Sequence, residues 1–393
     1  MAIFKLAFRN ITHAGLRTWL NVVVLSFAFV LIIWVQGFYE GLQKQVINDM
    51  KAIAVGGGQF WQQSYDPYDP LSLEDAHAPL SMELSALVER GEATPVLMTP
   101  ATIFPEGRVQ SVILRGIDPR QNVVALPSFE LQNGTPPGVI PAIIGTRMAK
   151  SANLQKGDLM TIRWRDANGV FDAAEMQVMH VFSTSVQTID EGQIWIPLSK
   201  LQEMLNVPGQ ATYVIVKQGL TEIPPGSPDW VYRDHNFLFA ELYTIVKTKR
   251  AGSSVFLSIL FAMALLAIFD TQVLSIFRRR KEMGTLMALG MTRWKVIGLF
   301  TLEGALQGLL AILVGALYGM PFLAYQSRFG LQMPQAIEQG GWNISAKLYP
   351  AYSWKIFLFV TLILFISVVI VSFLPTRRIS KLKPTEALRG RAT

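Results

Sequence analysis

Cysteine is absent from this chain, and histidine occurs only as His13, His77, His180 and His235. Without cysteine there is no disulfide, no lipid carried on a thiol and no thiol chemistry. A water-facing domain must then be held by its own core. No two histidines stand at metal-ligand spacing, so solvated or packed imidazoles are expected. No glycine-rich loop ends in Lys-Ser or Lys-Thr. Gly56-Gly57-Gly58 lacks both the lysine and a following helix, and reads as a flexible joint. No Gly-x-Ser-x-Gly elbow occurs. The neighbouring acids Glu74-Asp75 and Asp190-Glu191 read as loop charge. These absences argue against catalysis, a cofactor or a metal on this chain. Internal repeats and low-complexity tracts are also missing.

Long apolar runs are what the chain does have. Trp19–Phe38, Ser254–Phe277, Val296–Tyr325 and Ile356–Leu374 are each about long enough to cross a hydrocarbon core as a helix, which takes roughly 20 residues. About 210 residues separate the first run from the second, enough for a folded domain. The first run is too long for a signal-peptide core. Gln36-Gly37-Phe38-Tyr39-Glu40 supplies no small-residue cleavage site after it.

Charge orients the spans. Residues 1–18, 278–295 and 376–393 carry +3, +5 and +5; the rest of the chain nets −6 against the total of +7. The loop between the third and fourth runs holds only Arg328, Lys347 and the border residue Lys355 as cations. Basic residues near span ends stay in the cytoplasm. Both termini and the 278–295 loop are therefore expected inside, and the long gap outside. The basic charge then faces anionic headgroups and leaves no case for nucleic acid.

The expected fold is an α-helical membrane protein with four transmembrane helices and a large mixed α/β extracytoplasmic domain between helices 1 and 2. Residues 1–18 read as an amphipathic helix, lying in the interface or continuing into the first span. Residues 19–54 form the first span and a stalk, and 237–277 a second stalk and span. Between them, 55–236 is the outside domain. A cytoplasmic loop (278–295), a span (296–325), a short external loop (326–355), a span (356–375) and a basic tail (376–393) follow.

Within the outside domain, residues 81–90 and 145–154 read as helices. Val109–Leu114, Met160–Arg165, Ala174–Val181, Ile194–Pro197 and Tyr213–Lys217 read as strands. Asp166-Ala167-Asn168-Gly169 is a hairpin signal, and Gly116-Ile117-Asp118-Pro119 a turn. Ser199 is placed to cap a helix to Leu205. Pro-rich joints at 134–141 and 223–228 suggest subdomain boundaries.

In the cytoplasmic loop a helix-compatible run, Met283–Leu289, ends at Gly290. Such a helix would present Glu282, Leu286 and their neighbours to a cytoplasmic partner; the plainer reading is a positive-inside turn. From Arg280 through Glu282-Met283-Gly284 and Leu286 to Ala288-Leu289-Gly290, the loop resembles the Arg-x-x-Glu-(Ile/Met)-Gly…Ala-x-Gly signature of the FtsX-like/MacB-like ABC permeases. Leu6-Ala7-Phe8-Arg9-Asn10 with Arg17-Thr18, Gly116-Ile117-Asp118-Pro119, Ile144-Gly145, Met148-Ala149 and Lys156-Gly157-Asp158 are also similar to that family. So are Glu303 and the glycines after it, and Pro384-Thr385-Glu386-Ala387-Leu388-Arg389.

The resemblance implies a coupling helix docking on a separate ATPase subunit, with ATP and magnesium bound by that partner and no cofactor on this chain. It implies a second permease copy or paralogue and a bacterial inner-membrane location, and around Val181–Lys217 the chain is similar to the lipoprotein-releasing (LolC/LolE-type) permeases. A lipid or lipoprotein substrate and a periplasmic carrier follow from that subgroup. Drug or peptide efflux, and signalling to a cell-wall hydrolase, are the alternatives.

Two acids fall in the spans, where a charge is costly. Asp270 either lines a subunit interface, pairs with a neighbouring helix, or snorkels to the inner headgroups. Glu303 is expected in a structural pairing. Gly304, Gly308, Ala311, Gly315 and Gly319 share one helix face, either a dimer seam or packing within one subunit. Phe27, Leu31 and Trp34 share another, facing a central cavity or lipid.

Overall fold

The computed structural model describes residues 16–132, 134–184, 186–220, 222–332 and 347–377. Most of the expected 1–18 helix, the Leu6–Asn10 motif, the middle of the 326–355 loop, and the tail with Pro384–Arg389 lie outside the described residues.

Helix α1 (Leu16–Met50) ends in a π-turn (Lys51–Val55) that leads to β1 (Gly58–Gln62). There follow β2 (Ala78–Pro79), α2 (Met82–Glu89), β3 (Ala93–Ile103), β4 (Gln110–Ile117), β5 (Ile140–Gly145), α3 (Thr146–Ala152), β6 (Leu159–Arg165) and β7 (Phe171–Phe182). Next are α4 (Gln187–Asp190), β8 (Gln193–Pro197), α5 (Leu198–Leu205), β9 (Gln210–Ala211), β10 (Tyr213–Val216) and β11 (Trp230–Arg233). The chain then runs through α6 (His235–Leu238), α7 (Ala240–Arg278), α8 (Arg280–Ala288) and α9 (Arg293–Phe329). After β12 (Leu331–Gln332) and β13 (Lys347–Leu348) comes α10 (Trp354–Thr376). Contacts group these elements into two compact units. One holds the described residues up to Leu42, then Ile245–Leu331, and those from Leu348 on; the other holds Gln43–Thr244 with Gln332–Lys347.

In the second unit, β3 is shared between two sheets' worth of partners. Along one edge it pairs with β4, from Val96↔Ile117 to Ile103↔Gln110. Its other edge is divided: Ala93–Val96 pair with β10, and Ala101–Ile103 pair with β6. The path β3-β4-β8-β5-β7-β6 therefore returns to β3 and closes a six-stranded barrel, with β10, β1 and β11 as a side extension. Closure removes open edges from these six strands. Alternate residues point to opposite faces. Leu114, Ile144, Ile162, Val178 and Ile194 pack in one cluster with Met148 of α3 and Leu201 of α5. On the other face Val96, Met98, Trp195, Tyr213 and Ile215 form a second cluster. Arg115 lies there, donating from Nη1 to the Tyr213 hydroxyl at 2.6 Å, 5.2 Å above the Trp195 ring. Burial pushes the Tyr213 pKa up to about 12, so this phenol stays protonated.

Several local expectations change here. Gly58 opens β1, and Gly57 N–H donates to the Val216 carbonyl at 2.7 Å, so the triple glycine is tied into the sheet and is no flexible joint. Ile140 and Pro141 begin a barrel strand, and β11 pairs with β1 of the same sheet. Neither Pro-rich stretch divides the domain. Gly116 and Ile117 are the end of β4 rather than a turn. Helix α5 starts at Leu198 behind Pro197, and Ser199 does not cap it. The Asp166 hairpin forms: its carboxylate accepts from the N–H groups of Asn168 and Val170 at 3.0 and 2.7 Å.

Asp190 is only 3% exposed, so it is not loop charge. It lies at the start of α3, where the Thr146 and Arg147 backbone N–H groups and the Arg147 guanidinium (3.7 Å) face it. A Cβ on Gly145 would come within 2.3 Å of the Asp190 carbonyl oxygen, which is why this strand-to-helix turn needs glycine.

In the first unit, α1, α7, α9 and α10 lie in four helices long and apolar enough to cross a membrane. Helix α9 is the most enclosed of them. Its small residues let neighbours approach closely, the mode of helix packing that works without water.

Candidate functional site

The chain turns between α7 and α9 through Arg279, α8 and the segment to Thr292. At Arg279 the backbone leaves the helix (φ −99°, ψ 16°). Its guanidinium then bridges three elements. Nη1 lies 3.1 and 3.0 Å from the two Glu303 carboxylate oxygens on α9, and Nε donates to Glu282 on α8 at 2.7 Å. The same guanidinium stands 4.9 Å over the Phe300 ring. Glu303 is 6% exposed, and its charge is thus neutralised by a cation at the helix break.

Helix α8 has two faces. Met283 is fully buried among Ile276, Val296, Ile297 and Phe300, with Leu286 and Met287 packed at the edge. Gly284 is buried beside it. On the other side Lys281, Glu282, Thr285 and Ala288 are exposed. Gly290 takes the left-handed conformation (φ 93°) and ends the helix, and Thr292 accepts from Lys295 N–H to start α9. Leu289 and Trp294 flank this turn at 80% and 71% exposure.

The expected face needs adjusting on this geometry. Leu286 is half-buried and Met283 and Gly284 face inward, whereas Glu282, Ala288 and Gly290 lie on the exposed side. Arg280 falls in the first turn of α8. Sequence reasoning missed Arg279, Leu289 and Trp294 as distinct members of the site. A signal for Arg279 was present: a glutamate in an apolar run calls for a cation, and three arginines, Arg278–Arg280, follow the preceding apolar run.

The intramembrane residues separate. Asp270 is exposed on α7 and forms no salt bridge among the described residues. A Cβ on Gly304 would meet Ser372 Oγ of α10 at 2.0 Å, and one on Gly308 would meet Val368 at 3.0 Å. On Gly315 it would meet Phe29 of α1 at 2.9 Å. That small-residue face is thus occupied within one chain, and it is not open to a second copy. Trp34 donates from Nε1 to Gln326 of α9, Leu31 is half-buried, and Phe27 is 61% exposed. The three do not share one open face.

Residues 254–384 match the FtsX-like permease C-terminal family model. The chain carries an FtsX-like permease domain. That domain takes in most of α7, all of α8 and α9, and α10, so the Arg279–Glu303 bridge lies inside it. An ABC transporter permease of Methanocaldococcus jannaschii is 30% identical over 124 residues, 31% of this chain. The chain spans 28% of that relative's length. The lipoprotein-releasing system transmembrane protein LolC of Xylella fastidiosa is 21% identical over 324 residues, covering 76% of this chain and 77% of that one. LolC of Neisseria meningitidis is 20% identical over 337 residues, with 76% and 77% covered. Among solved structures, the periplasmic region of MacB from Actinobacillus actinomycetemcomitans is similar at a TM-score of 0.33 and 12% identity, covering 49% of this chain and 95% of that one. The extracellular domain of the YknZ transporter is similar at 0.27 and 13%, covering 42% and 84%.

Proposed function

We propose that this chain is the membrane-spanning subunit of an ABC transporter, docked through α8 on a separate ATPase that binds ATP and magnesium. The observation that carries the reading is the two-faced helix α8, set between two apolar helices of an FtsX-like domain. Its inner face is anchored by Met283, and Arg279 ties its start to Glu303. In this reading a push on the exposed side of α8 reaches α9 through the Arg279–Glu303 bridge and α7 through the chain that Arg279 continues.

In this reading α8 and both termini are cytoplasmic, in accord with the positive charge around them. The barrel unit is extracytoplasmic, and the extensions of α1 and α7 beyond their apolar runs carry motion to it. The subunit works as a pair with a second copy or a paralogue in a bacterial inner membrane. The substrate is a lipid or a lipid-anchored protein passed to a periplasmic carrier. The similarity to two LolC proteins over three quarters of the chain favours this over efflux or signalling.

Purification from native membranes with crosslinking mass spectrometry tests the proposal. The expected result is an ABC ATPase linked to residues 281–294 and a lipoprotein or lipid carrier linked to the barrel unit. A cell-wall hydrolase on the barrel unit would replace transport by signalling. No ATPase at all would overturn the reading.

A further inference from the structure

The membrane unit has a cavity that ATPase coupling does not use. It measures about 400 Å³ and lies between α1, α7 and α10. That is within the usual range for small-molecule sites, about 300–1,000 Å³. Leu257, Phe261, Ile356, Val360 and Ile363 give it an apolar wall. Phe359 and Ile363 are 65% and 42% exposed, so the groove opens sideways onto the apolar flank of the unit.

Polar groups gather towards the beginning of α7. Arg250 Nε donates to Gln36 Oε1 at 2.6 Å, and Ser254 Oγ donates to the Arg250 carbonyl at 2.8 Å, one turn further along. The bond to Gln36 holds the guanidinium in the lining of the groove. Among the described residues no carboxylate lies within salt-bridge distance of it, and its two Nη groups have no hydrogen-bond partner. From Arg250 to Phe261 the helix advances about 16 Å, at 1.5 Å per residue. A cation sits at one end of this length; Ser254 and Ser258, whose hydroxyls donate back to helix carbonyls, share the α7 side with Leu257 and Phe261, and the α10 side is hydrocarbon.

We propose that this groove holds an acyl chain of an anionic phospholipid, with the phosphate paired to Arg250. The planar guanidinium suits a phosphate bidentately, and an arginine at the edge of a hydrocarbon layer is costly until it is paired or hydrated. The site is built from one copy of the chain. It rests on the membrane placement of the four helices and not on ATPase coupling, so it is tested without an ATPase and its failure is separable from the failure of the transporter reading.

The experiment is native mass spectrometry of the full chain in detergent. It is titrated with palmitoyl-oleoyl phosphatidylglycerol, with diacylglycerol of the same chains, or with inorganic phosphate. Arg250→Gln is expected to weaken phosphatidylglycerol retention about tenfold, the loss of one charge-assisted contact. Diacylglycerol retention is unchanged in that variant. Ile363→Trp, a substitution at the exposed rim, weakens both lipids. Arg328→Gln, at an exposed arginine near the end of α9, weakens neither. Equal phosphatidylglycerol loss in the Arg250 and Arg328 variants overturns the proposal, as does Arg250-dependent binding of inorganic phosphate alone, which would mark a free-anion site. A fall in self-association with unchanged lipid retention in Ile363→Trp would give the groove to a second copy instead, and also overturns it.

Discussion

Arg279 and Glu303 stand 24 residues apart in the chain and meet with both carboxylate oxygens within 3.1 Å of one guanidinium nitrogen. Removing Glu303 leaves the half-buried guanidinium with the exposed Glu282 as its carboxylate partner. Glu303→Leu is expected to destabilise the chain by about 2 kcal/mol, less than the ~3–5 kcal/mol of a fully buried pair because Arg279 is partly exposed. Glu303→Leu combined with Arg279→Leu recovers most of that loss. Thermal unfolding in detergent reads both. A double variant as unstable as the two single losses added together would show that the bridge is not a unit.

Gly304 and Gly298 lie on the same helix with opposite surroundings. A Cβ at 304 would strike Ser372, whereas one at 298 meets nothing within 4 Å. Gly304→Ala is expected to cost about 1–3 kcal/mol through overpacking. Gly298→Ala is expected to be neutral or stabilising by up to ~1 kcal/mol, the helix-propensity gain. Paired melting curves decide it; equal losses would contradict the packing of α9 on α10.

Asp190 gives the barrel unit a pH signature. Burial holds its carboxyl above the ordinary range, despite the opposing pull of the Thr146 and Arg147 N–H groups and the Arg147 charge. The folded state therefore keeps the proton longer than the unfolded state. Stability contributed by this group is greatest below its unfolded pKa of ~4 and falls as pH rises through the raised value. Chemical denaturation across that window should show a smaller decline for Asp190→Asn than for the parent chain. Identical slopes would place the titration elsewhere.

Met283 and Leu289 separate anchoring from docking. Met283→Asp puts a charge into a closed apolar cluster and is expected to cost several kcal/mol, on the order of 3. Leu289→Asp changes an exposed side chain and should leave the melting temperature within about 2 °C, a surface-substitution effect, while lowering ATPase co-purification. Loss of folding in the Leu289 variant would contradict the assignment of faces.

The long apolar runs and the hairpin at Asp166 could be read directly, because helix-length hydrophobicity and an Asp-x-Asn-Gly turn are local signals. Barrel closure could not: it depends on β3 dividing one edge between β10 and β6, and no feature of residues 93–103 announces two partners. The same holds for the small-residue face of α9. Its four-residue spacing shows that something packs closely there, but only the positions of Ser372, Val368 and Phe29 show that the partner is the same chain. In α8, helix periodicity over nine residues did not settle which side was inward, and Leu286 went to the half-buried edge.

The most direct test of the central claim uses the absence of cysteine in the chain. Leu289→Cys, Leu313→Cys on the apolar flank of α9, and Leu159→Cys on the barrel unit are each made in the full chain and crosslinked in native membranes. The account predicts an ABC ATPase adduct at position 289 and none at 313 or 159. An ATPase adduct at 159, or none at 289 with an ATPase present in the purified complex, would contradict it.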